Sequence, residues 1–475
     1  MQNIASTSRP TDNDKWLFYA LLLVTSLAPL PFGSNRPLSA AILVFCLAIL
    51  LATWAVMFMG SKTSLHDRFD ALKIPALLYG AVCIWIIIQW APLNTRFADP
   101  IWIETSKQLG IELSQRLTVN PYATLTGLSH LLAYAGVFWL SFHLARTSQR
   151  AWLAIRVLST VGAIYATYGI IVFISGNNWI LIYPKWAYQD SLTSVFVNRN
   201  SYATFAGLSL LCAVTATLAR IEDFLSLKHN WRSKLLFIAE ELFSKSAWKS
   251  YTLIVLAVSL ILSGSRAGIA SSFLGLLVVV AIFFLQNRIR RQTQIWFATA
   301  SIVSFFLFTL VVSGSLLKQR FELNDLESSF SIRADMYEKT IDAIAAAPLT
   351  GTGFGTYADV IPAYKSGGKN AALEMWDKAH NTYLENALEL GLPAAIFLNL
   401  SIFWLAAYCI NGSRTRRRNK LLPTLGVGAT ILVGCHALVD FSLQIPAVAV
   451  LYACIIGVAT AQSWRTSEIK ASADP

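Results

Sequence analysis

Apolar runs of roughly 17 to 25 residues recur along the chain, separated by polar segments, and this is the length that crosses a hydrocarbon core as α-helix. The strands of a membrane barrel would instead alternate apolar and polar positions in shorter segments. The pattern therefore predicts an all-α polytopic membrane protein with about twelve transmembrane helices. The predicted spans are 16–33, 38–59, 72–91, 122–145, 152–175, 198–220, 250–265, 267–286, 295–316, 381–410, 421–441 and 446–463.

Composition supports a membrane protein, because 55% hydrophobic and 13% charged residues leave too little charged surface to cover a soluble globule of 475 residues. Lys and Arg concentrate in alternate short loops, which predicts that those loops and both termini are cytoplasmic. The net charge of +12 then reflects topology, and it does not indicate a nucleic-acid partner. The loops concerned contain Lys62, Arg68, Lys73, Arg146, Arg150, Arg288, Arg290, Arg291, Arg414, Arg416, Arg417, Arg418 and Lys420.

The long polar segments predict that the chain is divided into three parts. Residues 1–316 hold transmembrane helices 1 to 9 with short loops, 317–380 form an outer loop subdomain, and 381–475 hold helices 10 to 12 and a cytoplasmic tail. Within the loop subdomain, 331–347 has the apolar spacing of an amphipathic helix, which Pro348 ends.

Three helices predicted to begin on the outer side carry Arg199, Arg266 and His380 in their first turns. A helix N-terminus offers unpaired N–H groups and about half a positive charge, so these helix starts predict an anion site at one membrane face. Further side chains that could support the site are Asn198, Asn200, Tyr202, Arg320, Asn381, Tyr383 and Glu385.

Each of these residues also has a purely structural interpretation. A single arginine can snorkel to the interface or pair with a carboxylate such as Asp440, whereas several guanidinium groups together, including Arg333 from the loop helix, favour phosphate binding. Histidine titrates near neutral pH, which suits His380 to a general base, but water or a backbone carbonyl could equally satisfy it. His436 and Asp440, four residues apart, are predicted to share a helix face as a buried hydrogen-bonded pair, a proton relay or an ion site.

The order of these motifs resembles that of the bacterial O-antigen ligase and polysaccharide polymerase superfamily, over about residues 198–400. The motifs are Asn198-Arg199-Asn200, Ser263-Gly264-Ser265-Arg266-Ala267-Gly268, Arg333 to Tyr337, Pro348 to Gly355, and His380-Asn381-Thr382-Tyr383-Leu384-Glu385 through Pro393. The resemblance implies a C-type glycosyltransferase fold in the bacterial inner membrane, with a periplasmic outer loop and active site. It also implies an undecaprenyl-diphosphate-linked glycan as donor and chemistry that needs neither a metal nor a cofactor.

The expected reaction is an inverting transfer of the lipid-linked glycan to an acceptor sugar hydroxyl. The three arginines would bind the diphosphate, and His380 would take the proton from the acceptor. The acceptor stays open, because the motifs are common to ligases, which use a lipid A core sugar, and polymerases, which use another lipid-linked glycan. The rival interpretation is a lipid-linked oligosaccharide flippase or another transporter, since many spans with charges near the membrane also suit alternating access.

Overall fold

The computed structural model describes residues 14–59, 72–93, 97–225, 247–286, 324–364, 377–416 and 418–464. Within these ranges there are fifteen α-helices and one antiparallel hairpin, β1 (Trp179–Ile180) with β2 (Tyr183–Pro184). The helices are α1 (Lys15–Leu27), α2 (Pro37–Met59), α3 (Lys73–Trp90), α4 (Pro100–Leu109), α5 (Pro121–Leu144), α6 (Ser148–Ile174), α7 (Arg199–Leu225), α8 (Ala247–Leu262), α9 (Arg266–Gln286), α10 (Asn324–Ala346), α11 (Tyr357–Val360), α12 (Thr382–Leu390), α13 (Leu392–Thr415), α14 (Leu421–His436) and α15 (Pro446–Ala461).

Seven of these helices are long and apolar enough to cross a membrane: α2, α3, α5, α6, α7, α9 and α13. Four shorter helices, α1, α8, α14 and α15, are also apolar. The predicted all-α polytopic membrane fold is confirmed. The predicted span 295–316 and the candidate residue Arg320 lie outside the described residues, and the division of the chain into three parts stays a prediction.

The centre of the bundle is formed by α7 and α15. The apolar stretch of α7 is 78% buried by other parts of the protein, against 17% for that of α2, so α7 is central and α2 peripheral. Small residues let the inner helices approach closely. Where α9 meets α14, a Cβ added to Gly275 would lie 2.7 Å from the carbonyl oxygen of Gly428.

The predicted span 381–410 is wrong as a single helix, because the structure divides it into α12 and α13 at Gly391. Gly391 has a φ of 78°, which breaks the helix, and a Cβ there would lie 2.4 Å from the carbonyl oxygen of Leu349. The amide of Leu392 donates to the carbonyl of Pro348 across the break. The short helix α12 can therefore turn away from α13 at one end of the bundle.

The glycine-rich loop 351–355 supports α12. The backbone N–H groups of Thr352 and Gly353 donate to the carbonyls of Leu388 and Glu389 at the end of α12. These amides are engaged within the fold, so the loop supports the end of α12 through its backbone. The amphipathic helix predicted over 331–347 lies within α10 and its first following residue.

Candidate functional site

The candidate site lies at one end of the bundle, where α7 and α9 begin. Arg199 opens α7 and is half-buried, with its guanidinium 5.4 Å from the centre of the Tyr188 ring. Its Nη1 donates to the Ser191 hydroxyl at 3.3 Å. Within the described ranges, the buried Nε of Arg199 has no hydrogen-bond partner, so part of this cation's donor capacity is unused.

Asn200 joins the start of α7 to two other elements. Its Nδ2 donates to Asp440 Oδ1 at 3.0 Å, and its Oδ1 accepts from the Ser265 hydroxyl at 2.7 Å. The neighbouring Asn198 side chain accepts the Asn200 amide at 2.7 Å, which fixes this first turn. The three elements are thus held together by direct side-chain contacts.

Arg266 follows Ser265 and opens α9, so its backbone lies beside Asn200. Its side chain is exposed, unlike that of Arg199. Tyr202, one turn into α7, is fully buried and packs on Phe196, so its side chain belongs to the core of the bundle.

His380 lies in the turn before α12, in a backbone conformation with φ 51° that most residues avoid. Its Nδ1 is 3.7 Å from Asp440 Oδ1, an electrostatic pair longer than a hydrogen bond, and its ring meets Phe441 edge-on at 4.8 Å. The Tyr337 hydroxyl donates to the His380 carbonyl at 3.0 Å. Several contacts therefore hold a strained residue in place, which is a pattern seen at functional sites.

The turn that carries His380 is fixed from both sides. Asn381 caps α12 by accepting the amides of Tyr383 and Leu384 at 3.0 and 3.1 Å. Glu385 is buried and accepts the Ala379 amide at 2.8 Å, directly before the histidine. The Tyr383 hydroxyl donates to the Gly434 carbonyl at 2.9 Å, which attaches α12 to α14.

Lys378 lies beside this turn and compensates the buried carboxylate of Glu385. Its Nζ is 3.3 Å from Glu385 Oε1. Burial alone would lower the pKa of Lys378, but the carboxylates of Glu385 and Glu389 outweigh it and raise that pKa. The lysine therefore stays charged and stabilises the turn.

Asp440 is fully buried and is the common partner of the site. Besides Asn200 and His380, it accepts a hydrogen bond from the Ser442 hydroxyl, and its backbone carbonyl accepts from the Thr382 hydroxyl at 2.9 Å. Although burial would raise the pKa of Asp440, the nearby His380 and His436 and the hydrogen bonds from Ser442 and Asn200 hold that pKa below its usual value. The carboxylate is therefore ionised inside the protein.

The predicted shared helix face of His436 and Asp440 is wrong, because α14 ends at His436 and Asp440 lies in the following turn. The two are still connected, since His436 Nδ1 lies 3.2 Å from the Ser442 hydroxyl and 2.6 Å from that of Thr204. From the sequence, an arginine was one possible partner of Asp440. In the structure, Asp440 instead contacts Asn200 and His380.

Arg333 lies on α10, one turn before Tyr337, whose hydroxyl contacts the His380 backbone. The charge of Arg333 reaches the site through Tyr188, which Arg199 also affects. Burial raises the pKa of Tyr188, Arg199 and Arg333 both oppose that rise, and Asp440 adds to it. Both arginines and the carboxylate thus act on one side chain in the loop before α7.

Space for a ligand lies next to these groups. A cavity of about 360 Å³ opens between the end of α6 and the loop that follows the hairpin, and Ser191, the partner of Arg199, lines it. Lys185, Gln189 and Asp190 give its wall polar character. Across the part of the chain that the structure describes, no group of three or more His, Cys, Asp or Glu side chains could hold a metal ion.

The middle of the chain is similar to a known protein family. Residues 251–398 match the family described as O-antigen ligase. The resemblance to the O-antigen ligase family is therefore confirmed for this region. The chain is also similar to a Haemophilus influenzae protein described as uncharacterized, with 27% identity over 198 residues, which is 38% of this chain and 49% of that protein. The chain spans about half the length of this relative.

The O-antigen ligase region contains Ser265, Arg266, Arg333, Tyr337 and His380. Three other residues of the site, Arg199, Asn200 and Asp440, lie outside it, before and after the matched residues. The structure brings these flanking residues to the matched region through the Asn200–Ser265 and Asp440–His380 contacts.

Proposed function

We propose that the protein is an inverting membrane glycosyltransferase that moves a glycan from undecaprenyl diphosphate to an acceptor sugar hydroxyl at the outer end of the bundle. The observation that carries this proposal is the position of His380, paired with the ionised Asp440 and joined through Asn200 to the helix that begins at Arg199. The family match over 251–398 supports this class of reaction.

The arginines would bind the diphosphate of the donor. Arg199 has a buried donor without a partner in the described structure, and Arg333 acts on the same tyrosine, so two guanidinium groups are available near one point. Guanidinium forks match phosphate oxygens and strengthen as negative charge develops on a leaving group. Arg266, exposed at the start of α9, would complete this anion site from a second helix start.

His380 would act as the general base. Its Nδ1 faces Asp440, so Nε2 is the nitrogen that would accept the proton. The Asp440 carboxylate would stabilise the imidazolium that forms. The same arrangement of carboxylate and imidazole orients the base in other acyl- and group-transfer enzymes. Asp440 is thus proposed as a positioning residue and His380 as the catalytic one.

The reaction balances without any further reactant. The acceptor oxygen forms a bond to the anomeric carbon as the bond from that carbon to the diphosphate oxygen breaks. The diphosphate leaves with the electron pair and stays bound by the arginines, and the acceptor proton passes to His380. A single displacement of this kind inverts the anomeric configuration.

The location of the charges favours transfer over transport. Arg199 and Arg266 lie at the beginnings of helices and His380 in a turn, all at one end of the bundle. A transporter that alternates between two sides typically places its charged binding groups near the middle of the membrane. We propose on the same grounds that the site faces the periplasm from the bacterial inner membrane, with both termini cytoplasmic.

The test is an assay of the purified wild-type chain in detergent, with labelled lipid-linked donor and an acceptor. Detergent solution has no two sides, so a flippase gives no product there, whereas a transferase releases undecaprenyl diphosphate and forms a new glycoside. The absence of product with every acceptor class would overturn the proposal. A lipid A core acceptor giving a single band would indicate a ligase, and a lipid-linked glycan giving a ladder would indicate a polymerase.

A further inference from the structure

A groove of about 450 Å³ opens where α6, α7 and α8 meet, at the end of the bundle remote from His380. Three cationic side chains line it: Arg156 from α6, Arg220 from α7 and Lys249 from α8. Trp152 and Trp248 also line it, together with several Ser and Thr hydroxyls. The proposed transfer reaction uses none of these groups.

The groove lies at the opposite membrane boundary from the candidate site. Arg220 follows Arg199 by 21 positions on the same helix, which at about 1.5 Å per residue is roughly 32 Å, close to the thickness of a hydrocarbon core. Arg146 lies in the adjoining α5–α6 loop and Arg150 in the first turn of α6, and an excess of such cations marks the cytoplasmic side. The groove therefore faces the leaflet in which anionic phospholipids attract basic segments.

The walls of the groove combine small, aromatic and cationic residues in a way that suits a headgroup. Ala213, Ala216 and Ala219 lie three positions apart along α7, so one face of that helix leaves the groove deep. On the opposite wall, the Trp248 indole donates to the Thr160 hydroxyl at 3.4 Å, which holds α8 against α6. Such an indole, apolar along its body and polar at its N–H, is typical of the membrane interface.

The cations can contact a ligand and the protein at once. Arg156 donates its Nε–H to the Trp152 carbonyl at 3.2 Å, which orients the guanidinium and leaves its terminal nitrogens to act as further donors. Arg220 and Lys249 also have contacts within the protein. Glu222 and Asp223 are near Arg220 in sequence, and the three cations outnumber these two acidic residues.

Further along α6 and α8, away from the groove and toward the middle of the bundle, the exposed side chains are apolar. Ile164 of α6 and Ile254 and Val258 of α8 are exposed side chains that would lie against lipid tails. A free phosphate ion would use the cations but not these surfaces, whereas a phospholipid would use both.

We propose that this groove binds the phosphate headgroup of an anionic phospholipid, with its acyl chains lying along α6 and α8. The two faces of the protein then have different lipid ligands: a lipid-linked diphosphate near Arg199 and a structural phospholipid near Arg220. The second site does not depend on the proposed transfer reaction.

The test measures lipid retained by the full-length chain after extraction from nanodiscs that contain phosphatidylglycerol and phosphatidylcholine, by native mass spectrometry. Wild type retains phosphatidylglycerol in preference to phosphatidylcholine. The double variant Arg156→Gln and Arg220→Gln loses about 30-fold in affinity for phosphatidylglycerol, since each cation near an anionic lipid contributes roughly 1 kcal/mol. Lys107→Gln, which removes an exposed cation on α4, leaves retention unchanged.

A second variant keeps the charges and fills the groove. Ala216→Leu adds volume to the α7 wall and lowers phosphatidylglycerol retention without changing the net charge. Equal retention of the two lipids by wild type would overturn the proposal, as would wild-type retention in both groove variants. If inorganic phosphate displaced phosphatidylglycerol at matched concentration, the site would be one for free phosphate and the lipid assignment would be wrong.

Discussion

Asp440 determines the geometry of the candidate site at the scale of single residues. This buried carboxylate contacts Asn200 on α7 and faces His380 before α12, and the turn that carries it also accepts a hydrogen bond from Thr382. A buried charge is costly unless its hydrogen bonds are satisfied, and here Asn200 and Ser442 both donate to the carboxylate. The pKa of Asp440 is lowered because His380, His436 and these two donors together outweigh the effect of its burial.

Replacing Asp440 with Asn retains an acceptor oxygen but removes the charge that faces the imidazole. We expect Asp440→Asn to lower kcat for glycan transfer by on the order of 10², with the KM for donor unchanged, because a mispositioned base loses part of its typical contribution. Steady-state kinetics in detergent measure this split. Asp359→Asn, which changes a carboxylate that contacts Asn120 elsewhere, serves as the control. An equal loss in both variants would show a general structural effect.

Arg199 is expected to act on donor binding. Arg199→Ala should weaken binding of undecaprenyl diphosphate by about 10- to 100-fold, because each charge-assisted hydrogen bond contributes roughly 1.5 to 3 kcal/mol. Arg199→Lys should recover only part of the affinity, since an ammonium lacks the planar fork. Binding of the sugar-free lipid to purified protein measures both. Wild-type affinity in Arg199→Ala, with Lys107→Ala as control, would contradict the assignment.

The sequence allowed some of these residues to be predicted and not others. Arg199 and His380 stand out because a charge at the end of an apolar run is costly and visible. The role of Asp440 depends on a contact with Asn200, 240 positions away, which no local pattern reveals. The contacts of Arg199 with Ser191 and Tyr188 likewise require the folded loop before α7.

At the scale of elements, the break between α12 and α13 sets the direction in which His380 is presented. The sequence predicted one continuous span, because apolar residues flank Gly391 on both sides and hide the break. What ends α12 is the close approach of the 348–351 backbone, which is a tertiary contact. Hydropathy predicts that a helix exists here, but the path of the chain depends on that contact.

Gly391→Ala tests this break. A side chain at φ 78° is strained and would meet the Leu349 carbonyl oxygen at 2.4 Å, so we expect destabilisation of at least about 1 to 3 kcal/mol. Thermal unfolding in detergent measures the loss. Gly80→Ala is the matched control, because a Cβ there has open space and the helical backbone favours alanine. Equal melting temperatures for the two variants would contradict the proposed constraint.

Glu389 of α12 makes the stability of this region depend on pH. Burial, with Glu385 nearby, raises the pKa of Glu389 to about 8, although Lys378 and the Tyr357 amide oppose the rise. The folded state therefore holds this proton more tightly than the unfolded state, and that stabilisation is lost as pH rises toward 8.

The corresponding measurement is the melting temperature between pH 5 and pH 8.5. We expect a larger fall for wild type than for Glu389→Gln, whose side chain has no proton to lose. Glu338→Gln, at an exposed position on α10, should follow wild type. Parallel curves for wild type and Glu389→Gln would show that Glu389 does not titrate in this range.

At the scale of the whole molecule, hydropathy predicted the membrane fold well. Eleven of the twelve predicted spans fall in apolar helices of the described structure, one of them divided, and the twelfth, 295–316, lies outside it. Length and apolarity suffice to predict where helices cross, because the bilayer imposes both. The central position of α7 and α15 depends on packing between helices, which hydropathy does not encode.

Glycan transfer is proposed at one membrane face and a structural lipid at the other. Helix α7 connects them, with Arg199 at its start and Arg220 near its end. Substitutions in the groove near Arg220 should therefore change lipid retention and not the transfer step, whereas substitutions near His380 should do the reverse.

The most direct test of the central claim is the rate of glycan transfer by purified His380→Ala at saturating donor, with donor affinity measured on the same preparation. We expect a loss of at least about 10² in rate with unchanged donor affinity, because the base acts only on the acceptor proton. His130→Ala, a half-buried histidine on α5, should retain full activity. Wild-type transfer by His380→Ala would contradict the account.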